Sequence, residues 1–198
     1  MAVIRMTNPS GLNAVADLIQ TRLSLLEYTD FGGSQQAFFS TIYPIAERNE
    51  AELRKGQPMV WVDGISYQMA TPNNREKAIC FFYDHDNTVL VQRDIFEYEM
   101  SLVVWYVEKL FTKQGRGFKE AFMRKIYADI FRDGRISKYL SLDGYEEFRT
   151  KPEVWKDFPH GAFLPNDSPY NSFRIKFKAR YNACNDPDDF VGDDLDVC

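Results

Sequence analysis

Phe173-Arg174-Ile175-Lys176-Phe177-Lys178-Ala179-Arg180-Tyr181-Asn182 alternates apolar and polar side chains without a break. Successive side chains of a strand leave on opposite faces. The period of two therefore predicts a strand with one apolar face for a core and one face carrying Arg174, Lys176, Lys178 and Arg180. Upstream, Phe96, Tyr98, Met100, Leu102, Val104 and Tyr106 alternate with Glu97, Glu99, Ser101, Val103, Trp105 and Val107. The first half of that run is apolar on one face and acidic on the other. Its second half is apolar on both, which predicts a long strand entering a covered part of a sheet.

Four shorter runs precede it, at 59–62, 65–69, 77–83 and 88–92. Asp63-Gly64 suits a tight hairpin turn and Asp84-His85-Asp86-Asn87 a four-residue hairpin loop, so two consecutive antiparallel hairpins are expected. Helical periodicity occurs elsewhere. Leu12, Val15, Ala16, Ile19, Leu23 and Leu26 form one apolar stripe after the turn Asn8-Pro9-Ser10-Gly11, predicting a helix over 10–28 that ends before Gly32-Gly33. Phe118, Ala121, Phe122, Ile126 and Ile130 predict a second amphipathic helix between Gly115-Arg116-Gly117 and Gly134. Residues 35–49 have no clean period, and Pro44 disfavours a continuous helix there. Residues 141–170 read as irregular, with a short helix over 144–149 and turns at Pro152, Pro159, Pro165 and Pro169.

Strands precede the second helix and return after it. The expected fold class is α+β, a mainly antiparallel sheet with amphipathic helices packed on one side. A chain of 198 residues supports one substantial core. The expected organisation is a single domain over 1–185, with 141–170 as a surface excursion, and an acidic C-terminal tail over 186–198.

The net charge of −5 disfavours non-specific attraction of the whole surface to nucleic acid or anionic lipid. No apolar run approaches the roughly 20 residues needed to cross a bilayer, and Met1-Ala2-Val3-Ile4-Arg5-Met6 does not read as a secretory signal. Cys80, Cys184 and Cys198 are odd in number and widely spaced, which fits a reducing compartment better than zinc or a redox dithiol. The 16 Phe and 11 Tyr supply either an aromatic core or desolvated interface centres.

Asp84-His85-Asp86 clusters carboxylates around an imidazole and could bind a metal or poise a base. Adjacent side chains in a tight loop point apart, however, and the other histidine, His160, is far away in sequence. A polar turn is the simpler reading. Gly115-Arg116-Gly117-Phe118-Lys119 lacks the spacing of a phosphate loop, and no nucleophile elbow or His-Glu-x-x-His helix is present. No catalytic, cofactor or metal site is expected, although an enzyme of unrecognised class acting around Asp84-His85-Asp86 and 141–170 remains an alternative.

The conspicuous features are charged. Arg174, Lys176, Lys178 and Arg180 lie about 7 Å apart along one face and need hydration, cross-strand pairing with Glu97 and Glu99, a partner's acidic surface, or nucleic-acid phosphate. A second basic stretch, 109–138, holds nine Lys or Arg against Glu120, Asp129 and Asp133. The C-terminus reverses the sign with Asp186, Asp188, Asp189, Asp193, Asp194 and Asp196. Phe190 and Val191 stand where a calcium loop would need a ligand and a glycine, so calcium is not expected.

In the order of its elements the chain resembles the small α+β proteins that form rings at the head-to-tail junction of tailed bacteriophages, tail terminators and other neck proteins among them. The resemblance rests on the helix of 12–26, the hairpin region of 58–69, the strand ending Val103-Val104-Trp105-Tyr106, the helix of 118–131 and the closing strand of 172–182. It implies a structural virion protein, made in the host cytoplasm, forming a homo-oligomeric ring that joins portal to tail or caps the tail tube. The implied partners are copies of itself and other connector or tail proteins, with DNA as passing cargo, and with no membrane and no cofactor. The basic face and the six aspartates would supply the two different patches that a head-to-tail contact requires. The alternative outside virions is a protein-binding adaptor that recognises its partner through Arg174, Lys176, Lys178 and Arg180.

Overall fold

The computed structural model describes residues 1–6, 11–27, 38–48, 58–62, 66–70, 78–92, 95–107, 118–148, 150–158 and 170–182. Its elements run β1 (Ala2–Val3), α1 (Leu12–Leu23), β2 (Thr41–Arg48), β3 (Pro58–Val62), β4 (Ser66–Met69), β5 (Ala78–Gln92), β6 (Ile95–Val107), α2 (Phe118–Phe131), α3 (Gly134–Ser137), β7 (Leu140–Phe148), α4 (Lys151–Val154) and β8 (Tyr170–Asn182). The strands form one eight-stranded sheet in the order β4-β3-β2-β5-β6-β8-β7, with β1 beside β2.

The alternating run at the chain's end is β8, and it pairs along its whole length with β6, from Ile95↔Asn182 to Val107↔Tyr170. That register sets Glu97 opposite Arg180 and Glu99 opposite Lys178. The class is α+β, as expected, but the sheet is mixed rather than mainly antiparallel: β2 runs parallel to both β1 and β5. Strand β4 runs in the direction of β2, and β5 is parallel to β2, so the chain passes from β4 to β5 by a crossover and not by a hairpin turn. Pro44 sits where the β2–β5 register shifts, between Ile42 and Ile45. Proline has no N–H to give the ladder, and the irregularity accommodates that.

Alternation divides the core in two. Met100, Leu102, Val104 and Tyr106 of β6 join Phe173, Ile175, Phe177 and Ala179 of β8 in one buried cluster with five stripe residues of α1 and with Leu26, which lies beyond that helix's end at Leu23, and the cluster also takes Met123, Ile126 and Ile130 of α2. Val103 and Trp105 point the other way, into a cluster with Tyr43, Ile79, Phe81, Val154, Trp155, Phe158 and Tyr170. The two clusters therefore lie on opposite faces. Helices on a single side is too simple a description, since α4 and the turn after it cover the second face.

Two local expectations fail for identifiable reasons. Residues 84–87 do not turn the chain, because β5 is one strand. Its pairing with β6 passes from Asp84↔Met100 to Thr88↔Tyr98, so four steps on β5 match two on β6 and two residues bulge out. Asp86 takes φ 55 there, and the Asp84 carboxylate accepts its backbone N–H at 3.0 Å. Aspartate tolerates that conformation because its short side chain bonds locally. The second failure is 144–149, read as a short helix: residues 140–148 are strand β7, paired with β8, and the helix falls later, in α4. Thr150 starts it, its backbone N–H and hydroxyl both donating to Glu153. Before α1, Gly11 adopts φ 55 and ψ −130, a conformation that suits glycine alone, so the anticipated turn has its structural reason at that residue. The rest of that turn, the Gly32-Gly33 stop and the phosphate-loop-like 115–117 lie outside the described residues.

Candidate functional site: a polar ladder and its buried end

The face of β8 that carries Arg174, Lys176, Lys178 and Arg180 meets acids of the same chain. Arg180 Nε donates to Glu97 Oε2 at 3.0 Å, and Lys178 Nζ lies 2.7 Å from Glu97 Oε1. Lys176 Nζ reaches Glu99 at 3.1 Å. Arg180 pairs with the acid directly opposite, whereas each lysine stretches diagonally to the acid beyond its own partner. Glu97 accepts from two cations, which together outweigh the upward push of burial and hold its carboxyl below the usual value. The Lys176 hydrogen bond does the same for Glu99, against burial. Cross-strand pairing with Glu97 and Glu99, one of the alternatives set out above, is the arrangement present. The six aspartates Asp186, Asp188, Asp189, Asp193, Asp194 and Asp196 lie outside the described residues.

The fourth cation differs. Arg174 stands opposite Val103, so β6 offers it no acid. It is fully buried. Its partner comes from the turn after α4: Arg174 Nη1 lies 2.5 Å from Asp157 Oδ2 and donates to the Val154 carbonyl at 3.2 Å. The guanidinium packs 4.6 Å from the centre of the Phe148 ring, while Nε and Nη2 have no hydrogen-bond acceptor among the described residues. Cation–π attraction to Phe148 offsets part of that deficit.

His85 completes the cluster. The bulge keeps it on the face of Tyr83 and Ser101, where its Nε2 shares a 2.8 Å hydrogen bond with Ser101 Oγ. Its Nδ1 lies 4.0 Å from Asp157 Oδ2. Burial, reinforced by Arg174 and Lys176 against the opposing pull of Asp157 and Glu99, lowers its pKa to about 4. The imidazole is therefore neutral at pH 7. Asp84 and Asp86 do not join His85 at a metal centre, and among the described residues no group of three His, Cys, Asp or Glu side chains is placed to hold a metal ion. His160 lies outside the described residues.

No protein-family model, curated protein or solved structure matches this chain. Its chemistry is therefore read from geometry alone. Ser101, His85 and Asp157 have the connectivity of a nucleophile, a base and an orienting acid. Two features of the geometry oppose that use. Ser101 is fully buried, and its backbone lies within the sheet between Tyr83 of β5 and Lys176 of β8. Asp157 is also committed to Arg174 at the shorter distance. What this arrangement does is fasten the segment 150–158 onto the sheet.

Sequence reading singled out His85 and Arg174 but missed Asp157 and Ser101 as their partners. The register carried a usable signal: four cations face a strand that alternates Glu97, Glu99, Ser101, Val103, so the fourth needs an acid from outside the sheet.

A second surface has a different character. The seven residues 86–92 of β5 are all exposed. β2 pairs with β5 only between Ile79 and Tyr83, so among the described residues 88–92 has β6 on one side and no strand on the other. Val89, Leu90 and Val91 are 53%, 60% and 44% exposed on this arm, a density of apolar surface that a solitary edge strand normally avoids. At the sheet's outer edge, the β3–β4 hairpin exposes Trp61 and Tyr67, packed edge to face at 5.1 Å, and Met69.

Proposed function

We propose that this chain is a structural subunit that assembles with copies of itself into a ring, of the kind that joins head to tail in a tailed-phage neck or terminates the tail tube. The observation that carries the reading is the exposed apolar arm of residues 88–92. Strand edges with free backbone groups and apolar side chains are suited to burial against another chain. The β3–β4 hairpin gives the same subunit a second, different apolar patch, and two unlike patches are what a head-to-tail contact needs to close a ring. The polar ladder argues in the same direction by subtraction. With Arg174, Lys176, Lys178 and Arg180 all bonded to carboxylates of their own chain, charge does not favour the adaptor reading, and the assembly contact falls to the apolar edges.

Native mass spectrometry and negative-stain imaging of the purified chain, alone and with connector or tail proteins, provide the test. Rings are expected, and Val89→Lys with Leu90→Lys should return them to monomers of unchanged circular dichroism. A wild-type chain that stays monomeric with every candidate partner rules the reading out.

A further inference from the structure

Resting on the reading that copies of this chain assemble, we infer that the arm of residues 88–92 receives the acidic segment 194–197 of a neighbouring copy as an added strand. The arm offers what an added strand needs. Among the described residues β6 lies on one side of it and no strand on the other, and its residues are exposed in the single chain, so the occupant comes from another copy. Directly opposed residues share a face of the sheet, which puts Leu90 on the face of Phe96 and Val89 on the face of Glu97 and Arg180. Each face thus presents an exposed aliphatic side chain beside the open edge.

The two faces differ in charge. On the Val89 face two partly exposed cations, Lys178 and Arg180, converge on the one carboxylate of Glu97, so the three together are positive. With strands about 4.8 Å apart, Glu97 lies about 10 Å from a strand added to the arm's open edge, close enough for that charge to draw acids to its own face. The Leu90 face carries Thr88, Tyr98 and Phe96 at this end and the acid Asp84 at the arm's base, so it favours apolar side chains over further acids. A strand that suits both faces alternates acid with apolar. Asp194-Leu195-Asp196-Val197 does so, setting Asp194 and Asp196 on the Val89 face and Leu195 and Val197 beside Leu90. The β3–β4 hairpin, the rival occupant, has no charged side chain in either strand and answers only the apolar half. Position fits as well. β8 ends at Asn182, opposite Ile95, which also pairs with Gln92 at the arm's tip, so the chain leaves the sheet beside its own arm. The twelve residues 183–194 then span up to about 40 Å when extended, comparable with the width of one subunit. The added strand becomes the new edge, and its aspartates disfavour a further addition, so pairing stops at one strand per arm.

Hydrogen exchange of the full chain, followed by mass spectrometry at concentrations below and above assembly, reads this directly. On assembly, peptides covering 86–92 and 193–198 should both slow by roughly tenfold or more. In Leu195→Lys with Val197→Lys, 86–92 should keep the rate of the dilute chain. Slowing of 86–92 without 193–198, or undiminished slowing in the variant, overturns the inference while leaving assembly standing, and slowing of 58–69 in its place would name the β3–β4 hairpin as the occupant. Rings in which wild-type 86–92 keeps its dilute rate overturn it too, as does equal slowing of both peptides in the dilute chain, where each copy would cover its own arm. If the chain assembles at no concentration, the assembly reading fails, and a synthetic peptide of residues 186–198 decides what the arm takes. Added in excess to the full chain it should slow 86–92, less so at high salt, and an unchanged rate overturns the inference.

Discussion

Arg174 carries a charge where water does not reach, and its carboxylate partner sits at the rim of the same face, with 27% of the Asp157 side chain exposed. The asymmetry decides which half of the pair is harder to remove. In Asp157→Asn the guanidinium stays buried without its counter-ion, which costs about 3–5 kcal/mol. In Arg174→Met the remaining carboxylate can turn to solvent and an apolar side chain fills the space, so the loss should be smaller, about 2 kcal/mol. The double variant should be more stable than Asp157→Asn alone, because it removes the stranded charge. Urea midpoints of the three variants test the order, and Arg174→Met emerging as the least stable would mean that the bond to the Val154 carbonyl, not the ion pair, dominates the site.

At the scale of elements, periodicity made most of the architecture legible. Alternation located β6 and β8, and the six-residue stripe located α1, because side-chain burial is the force that fixed both the sequence pattern and the strand or helix face. Where a backbone feature decided the outcome, the pattern was silent. Asp84-His85-Asp86-Asn87 has the composition of a turn, yet residues on both sides of it pair with the same strand, and only long-range register distinguishes a bulge from a hairpin loop. β7 was lost for a related reason: among the described residues it pairs only with β8, at the sheet's edge, and the four prolines that follow it make the whole stretch read as loop. The candidate site was half legible. Register could demand an acid for Arg174, but a residue 17 positions away in a turn has no periodicity to announce it. The bulge itself makes a testable claim. Asp86→Gly should leave stability within about 0.5 kcal/mol, since glycine accepts φ 55 freely, whereas Asp86→Val should cost about 1–2 kcal/mol. Thermal unfolding of the pair measures it, and equal stabilities would mean that the strand can shift register to escape the strain.

For the molecule as a whole, the polar face makes stability depend on pH with a definite sign. Glu97 and Glu99 have folded-state pKa values below the ordinary carboxylate value, so each contributes stability that is present above that value and lost as pH falls through the folded one. His85 acts in the same sense from higher pH. It is neutral in the fold down to about 4 while the unfolded chain protonates it near 6.5, so stability is lost across that window and then levels. Asp84 opposes them: burial raises its pKa, and it favours the fold more at low pH than at high. Among the described residues, three groups against one predict a free energy of unfolding that is flat near neutrality, declines from about pH 6.5 and steepens in the carboxylate range. His85→Gln isolates the first part. It should abolish the decline between pH 6.5 and pH 5 while leaving the steeper carboxylate limb in place. Urea titrations at half-unit pH intervals test this, and a variant that follows the wild-type curve through that window would place the proton on some other group.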